Sequence, residues 1–148
     1  MRQHNKTDRI QNLLKFIDRS PTPFHAVQEM SDSLSSKGFI ELEEADTWKL
    51  TPNGKYFLTR NDSSLIAFSV GSKPDGAFKI IGAHTDSPNL RLKPQAGYAK
   101  NGYLQLGVEV YGGVLLSTWT DRDLSLAGRV ILAGKKKPVA KLIRFEQT

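Results

Sequence analysis

The sequence contains no cysteine among its 148 residues. The absence of thiols excludes a disulfide framework, a thiolate zinc site and a cysteine nucleophile. Cysteine usage of this kind suits a reducing compartment, so a cytoplasmic location is predicted. Any zinc that the protein binds must then be held by histidine, aspartate or glutamate side chains.

Long apolar stretches are also missing. The chain has no run long enough to cross a membrane, and its polar start, MRQHNKTDR, lacks the apolar segment of a signal peptide, so we expect no membrane partner. Hydrophobic residues still make up 39% of the chain and charged residues 24%, which is typical of a globular protein. Its length is enough to bury a sizeable core as one domain, roughly 68–70% of the unfolded surface.

Acidic residues are in the minority, which gives a net charge of +6 and a pI near 9.6. This balance raises the alternative of a basic module that binds nucleic acid. The basic residues are scattered, however, and their one cluster, Lys135–Lys137, stands between Gly134 and Pro138, as expected for a solvated hairpin turn. No sequence motif of a nucleic-acid-binding fold accompanies it, so we predict no nucleic-acid partner.

Two helices are predicted at the start of the chain. The first has apolar residues at helical spacing and ends at Ser20, because Pro21 disfavours helical geometry in the residue before it. The second begins with Thr22 as its cap and Pro23 in its first turn, and it ends at Gly38. Its buried stripe is predicted to consist of Phe24, Val27, Met30 and Leu34.

Short strands are predicted after the helices. They alternate apolar and polar residues or are rich in β-branched and aromatic residues, and an Asn53-Gly54 turn separates the first two. The predicted strands are Phe39–Leu42, Tyr56–Arg60, Leu65–Val70, Asn89–Lys93, Tyr103–Tyr111, Arg129–Leu132 and Val139–Phe145.

The stretch Ala77–Pro88, AFKIIGAHTDSP, carries the strongest functional signal. Its apolar half predicts a buried strand, and ligand sites of α/β sheets lie beyond the carboxyl ends of their strands. If the chain stays extended, His84 and Asp86 face one cavity and Thr85 points away. That spacing suits a neutral imidazole that binds zinc and a nearby carboxylate that orients it.

A His-x-Asp triplet is a weak signal by itself, because a histidine is more often a hydrogen-bonded structural residue than a ligand. A catalytic site needs several convergent groups, and only His84 and Asp86 are visible in the sequence. His25, beside the stripe of the second helix, is predicted to be a packed or surface residue. Metal binding therefore stays open on the triplet alone.

Three longer segments resemble the aspartyl aminopeptidase family. They are GAHTDSPNLRLKP at Gly82–Pro94, YGGVLLSTWTDRDLSLAGRV at Tyr111–Val130, and SPTPFHAV at Ser20–Val27, which is similar to the family's N-terminal motif. The segments occur in the family's order, and the resemblance covers essentially the whole chain. Members of this family are dizinc exopeptidases that release N-terminal residues, often acidic ones, from peptides.

The resemblance implies an α/β fold in two parts. Residues 1–117 are expected to form the N-terminal part of a zinc-exopeptidase-like α/β/α sandwich, and residues 118–148 the start of an inserted β-rich dimerisation domain. A homo-oligomer assembled through that insert is therefore expected. Family members run to well over twice this length, so the chain is expected to be an N-terminal portion of such an enzyme.

Carried onto this sequence, the family's metal-binding histidine is His84, and Asp86 is its catalytic companion. The implied reaction cleaves peptides with two zinc ions, which lower the pKa of a bridging water, and with a glutamate base. The other ligands and the glutamate belong to the part of the family that this chain lacks. Because a catalytic zinc takes three protein ligands, the chain alone is expected to be inactive. The alternative is a truncated, non-catalytic interaction module.

Overall fold

Two helices open the protein, whose computed structural model describes residues 6–73 and 76–145. Helix α1 spans Lys6–Arg19, and helix α2 spans Pro23–Ser36. Both helices lie where the sequence predicts them, because their start and stop signals are local.

The N-terminus of α2 shows how local those signals are. The Thr22 side chain accepts a hydrogen bond from the backbone N–H of His25, and Pro23 occupies the first turn, where its missing N–H costs nothing. At the other end, Gly38 adopts φ +78°, a left-handed conformation that ends the helix. The predicted cap and stop are therefore confirmed.

A three-stranded sheet follows, made of β1 (Ile40–Glu41), β2 (Lys55–Arg60) and β3 (Ser64–Ser69). Strand β2 lies in the middle, parallel to β1 and antiparallel to β3. Its side chains pack against α2. The buried apolar residues of these two elements are Ala26, Val27, Tyr56, Phe57 and Leu58.

Strands β4 (Asn89–Lys100) and β5 (Tyr103–Tyr111) form an antiparallel hairpin. Its two-residue turn, Asn101-Gly102, has positive φ at both positions (53° and 80°), as a primed hairpin turn requires. The sequence predicts that β4 ends at Lys93, but the strand continues because an irregularity between Leu92 and Gly97 accommodates the break in alternation. A short 3₁₀ helix, Leu116–Thr118, follows β5.

The last two strands, β6 (Ala127–Leu132) and β7 (Val139–Arg144), pair antiparallel in a second hairpin. The lysine cluster Lys135–Lys137 lies in its connection and is exposed, as predicted. In the part of the chain that the structure describes, no helix is long and apolar enough to cross a membrane.

Side chains of β6 and β7 contact segments far away in the sequence. The guanidinium of Arg129 donates to the carbonyl of Asn61 (2.9 Å) and to the carboxylate of Asp62 (3.0 Å). It also lies over the ring of Phe24, 4.1 Å from the ring centroid. Arg144 donates to the carbonyl of Asp18 at the end of α1. These contacts hold the second hairpin against the helices and the β2–β3 turn.

The chain divides into two compact units. The first contains residues up to Thr85 together with Leu126–Phe145, and the second contains Asp86–Ser125. All five buried apolar residues belong to the first unit, and no described residue of the second is buried. The prediction of a sizeable core is therefore wrong, because most apolar faces meet no partner within the described chain. The stripe of α1 is exposed in this way at Ile10, Leu13, Leu14 and Ile17.

The predicted strand that leads to His84 is also absent. Residues 77–83 have no strand hydrogen bonding, and Phe78, Ile80 and Ile81 are 85%, 87% and 100% exposed. A β-strand is defined by ladder pairing with a neighbouring strand, and the sheets formed by residues 6–73 and 76–145 do not include this segment. The mixed α/β class that the sequence predicts is nevertheless confirmed.

Candidate functional site

The His84-Thr85-Asp86 triplet is anchored at its middle residue. The hydroxyl of Thr85 donates a hydrogen bond to the carbonyl of Ser63, 2.7 Å away, which holds the threonine against the β2–β3 turn. The threonine side chain thus bonds to the scaffold of the first unit. His84 itself is exposed.

Asp86 is contacted by a residue that the sequence did not identify as functional. The hydroxyl of Tyr111, at the end of β5, donates to Oδ2 of Asp86 over 2.8 Å. This bond, and then the charge of Asp86, raise the pKa of Tyr111, while the charge of Arg91 acts in the opposite direction. The available signal was the position of Tyr111 at the end of an alternating strand, directly before two glycines.

The backbone around Asp86 is held beside the end of β5. Asn89, the first residue of β4, pairs with Tyr111, and its side chain donates to the carbonyl of Ser87 (2.9 Å). Gly112 then turns the chain with φ +70°, and a Cβ atom at this position would lie 3.5 Å from Pro88. A side chain at Gly112 would be strained by that φ, so the glycine fits the turn that follows Tyr111.

The described residues do not form a complete zinc site. In residues 6–73 and 76–145, no group of three or more histidine, aspartate or glutamate side chains is arranged to hold a metal ion. The imidazole of His84 and the carboxylate of Asp86 are donors of the type that zinc accepts, whereas a catalytic zinc takes three protein ligands. The chemistry of the two residues suits one ligand and its companion, which are fewer groups than a catalytic zinc takes.

His25 has a structural role, as predicted. Its Nδ1 lies 2.7 Å from the hydroxyl of Thr22, in a hydrogen bond within the first turn of α2. Burial lowers the pKa of His25, and the positive charge of Arg144 lowers it further. Both effects disfavour the protonated ring, which is bonded to its own helix cap.

A cleft of about 330 Å³ lies in the first unit, away from the triplet. It is lined by residues of α2, the three-stranded sheet and the second hairpin, including Phe24, Val27, Asp62, Arg129 and Leu142. Its arginine is already bonded to Asp62 and to the backbone of Asn61. The cleft therefore is better explained as the seam where the second hairpin packs than as a reaction site.

Comparisons with known proteins bear on the whole chain. Residues 16–147 match the family described as "Aminopeptidase I zinc metalloprotease (M18)". The chain is 51% identical over 138 residues to a "Probable M18 family aminopeptidase 2" of Pseudomonas fluorescens, covering 92% of this chain and 32% of that relative. It thus spans about a third of the length of the curated relatives it matches.

Solved structures agree with this match. Chaetomium thermophilum mApe1 is 46% identical, with a TM-score of 0.86 over 91% of this chain and 32% of the other. The mApe1 dodecamer of S. cerevisiae is 31% identical, with a TM-score of 0.85 over 95% of this chain and 34% of the other. With a family match over most of its length and the same local fold, this chain belongs to the M18 family of zinc metallopeptidases.

Proposed function

We propose that this chain is the N-terminal third of an M18 aminopeptidase that removes N-terminal residues, preferentially acidic ones, from peptides. The observation that carries the proposal is the family match over residues 16–147, which includes the His84-Thr85-Asp86 triplet. The matched relative from Pseudomonas fluorescens is itself named an aminopeptidase.

In this proposal, His84 is a zinc ligand, and Asp86 is a catalytic residue beside that ligand. An exposed imidazole next to an anchored threonine is accessible to a metal ion. When bound, two zinc ions would supply a bridging water of lowered pKa and a positive charge that stabilises the oxyanion. This chain's own share of the site is one imidazole and one carboxylate, with the other ligands and a glutamate base contributed by the rest of the enzyme.

The domain division and the assembly are part of the same proposal. Residues 1–117 would belong to the catalytic domain, and residues 118–148 would begin the inserted domain through which copies associate. The dodecameric state of the S. cerevisiae structure supports a homo-oligomer. A cytoplasmic location, with peptides as substrates, stays a prediction from the sequence.

The isolated 148-residue chain should be inactive, because His84 is its one histidine that matches a family metal ligand, whereas a catalytic zinc takes three protein ligands. The test compares the isolated chain with the complete polypeptide, on peptides that begin with aspartate or glutamate and with zinc or manganese added. We expect turnover by the complete polypeptide only.

That assay also requires sequencing of the reading frame past Thr148. A conventional M18 remainder, followed by turnover that a chelator abolishes, would support the proposal. A genuine stop, or a complete polypeptide without peptidase activity, would instead support the non-catalytic interaction module. The exposed apolar segment at Phe78, Ile80 and Ile81 is the observation that favours that second candidate.

A further inference from the structure

We propose that Tyr111 is a positioning residue for the Asp86 carboxylate, and that the β4–β5 hairpin is the support that makes this positioning rigid. The inference rests on the proposed function, in which Asp86 serves peptide hydrolysis. It adds to the site a residue that lies 25 positions from Asp86 in the sequence.

The contact between Tyr111 and Asp86 has the geometry of a strong hydrogen bond. The oxygen atoms of Tyr111 and Asp86 Oδ2 are 2.8 Å apart, which is a normal length for a hydroxyl donating to a carboxylate. A donor to a charged acceptor makes a stronger bond than one to a neutral acceptor. Fixing one carboxylate oxygen also stops rotation of the group, so the direction of the second oxygen is set as well.

The position of Tyr111 is fixed by the β4–β5 hairpin. Tyr111 is the last residue of β5 and pairs across the hairpin with Asn89, three positions after Asp86. The donor therefore lies on the hairpin, and the acceptor lies three residues before the first residue of its other strand. Functional groups held by strands are placed more accurately than groups held by loops.

The alternative is that the contact has only a structural role. Tyr111 is exposed and Asp86 is half-buried, and a single hydrogen bond contributes only modestly to stability. A phenylalanine would keep the packing of the ring and remove only the hydroxyl. A purely structural role would then leave catalysis untouched, whereas a positioning role predicts a loss in kcat with little change in KM.

The contact itself is tested in the 148-residue chain at micromolar concentration, by following tyrosinate absorbance with pH. The titration step that disappears in Tyr111→Phe belongs to Tyr111. We expect this step to move to lower pH in Asp86→Asn, because the carboxylate raises the pKa of Tyr111. Asp121→Asn is the matched control, since asparagine tolerates the positive φ of 61° at that position. An unchanged Tyr111 step in Asp86→Asn would overturn the inference.

The consequence for catalysis is tested in the complete enzyme. Tyr111→Phe should lower kcat roughly tenfold, the lower end of what loss of an outer partner costs at a metal site, with zinc content unchanged. Tyr103→Phe, at the exposed start of the same strand, is the control that should keep full activity.

The outcomes separate the two proposals. If the wild-type enzyme is active and Tyr111→Phe is equally active, the positioning role is wrong and the proposed function stands. If the wild-type enzyme has no peptidase activity, the proposed function is wrong, and the absorbance titration still decides whether Tyr111 holds Asp86.

Discussion

At the scale of single residues, His84 and Asp86 are two positions apart but should respond differently to substitution in the complete enzyme. His84→Ala removes a metal ligand, so both zinc and turnover should be lost. Asp86→Asn keeps the shape and removes the charge, so it should retain much of its zinc at saturating metal. Its turnover should fall about 10–100-fold, or roughly 1.4–2.8 kcal/mol. Elemental analysis and turnover on an N-terminal aspartyl peptide measure the two effects.

Two results would contradict these roles. Complete loss of metal from Asp86→Asn would make Asp86 a direct ligand. Full activity in both variants would remove this triplet from the reaction altogether.

His25 should make the stability of the chain depend on pH. Burial and Arg144 lower its pKa below the ordinary value of 6.5, so the folded chain binds the proton less readily than the unfolded chain does. The free energy of unfolding should therefore be unaffected above that value and fall as the pH drops through the lowered pKa.

Denaturant unfolding from about pH 7.5 to about pH 5.5, a range that brackets the ordinary histidine pKa, measures this effect. His25→Asn, whose amide can still bond to Thr22, should show a shallower decline than the wild type. Identical pH dependence in the two proteins would show that His25 is not responsible.

The sequence was informative about individual residues only where their partners are near in the chain. The triplet could be identified, and the bond between His25 and Thr22 lies within one helical turn. The bond from Tyr111 to Asp86 could not be predicted, because it depends on the pairing of β4 with β5. That pairing shifts at the irregularity between Leu92 and Gly97, which no alternation pattern reveals.

At the scale of elements, the cap of α2 should contribute measurably to the stability of the first unit. Thr22 accepts from the His25 N–H and bonds to the His25 ring. Thr22→Ala should lower the free energy of unfolding by about 1 kcal/mol, the usual cost of losing such a cap.

Urea unfolding at low protein concentration tests this prediction with two controls. Thr22→Ser keeps a hydroxyl and should remain near the wild type, whereas Thr47→Ala changes an exposed loop residue and should have almost no effect. Equal stability of Thr22→Ala and Thr47→Ala would mean that the cap contributes nothing.

Elements with internal signals were predicted well, and elements that need distant partners were not. The two helices and the hairpin strands β5 to β7 lie close to their predicted bounds, because caps, turn glycines and alternation are encoded locally. Residues 77–83 have the composition of a strand, but strand formation needs a neighbouring backbone that the described chain does not provide.

At the scale of the whole molecule, the isolated chain should self-associate or aggregate. The apolar side chains of Ile81 and Leu104 are 100% and 92% exposed, and large exposed apolar patches mark interfaces or aggregation sites. Light scattering should show species larger than a monomer, with strong binding of a hydrophobic dye.

Ile81→Lys offers a direct check, with Ile40→Lys, on an exposed position of the three-stranded sheet, as its counterpart. The first substitution should reduce association more than the second. A monomeric wild-type chain with a cooperative thermal transition and no dye binding would contradict the prediction.

The first unit consists of two separate segments of the chain, and this has a consequence for its synthesis on the ribosome. Its strands β6 and β7, with the arginines that contact Asn61, Asp62 and Asp18, are encoded after residues 86–125 of the second unit. At ordinary rates of chain elongation, the interval between Thr85 and Leu126 lasts on the order of 2–8 s. Throughout that interval, the nascent helices and the first sheet are exposed to chaperones and proteases without their closing hairpin. The order of translation therefore allows the first unit to close only after residues 86–125 have been made.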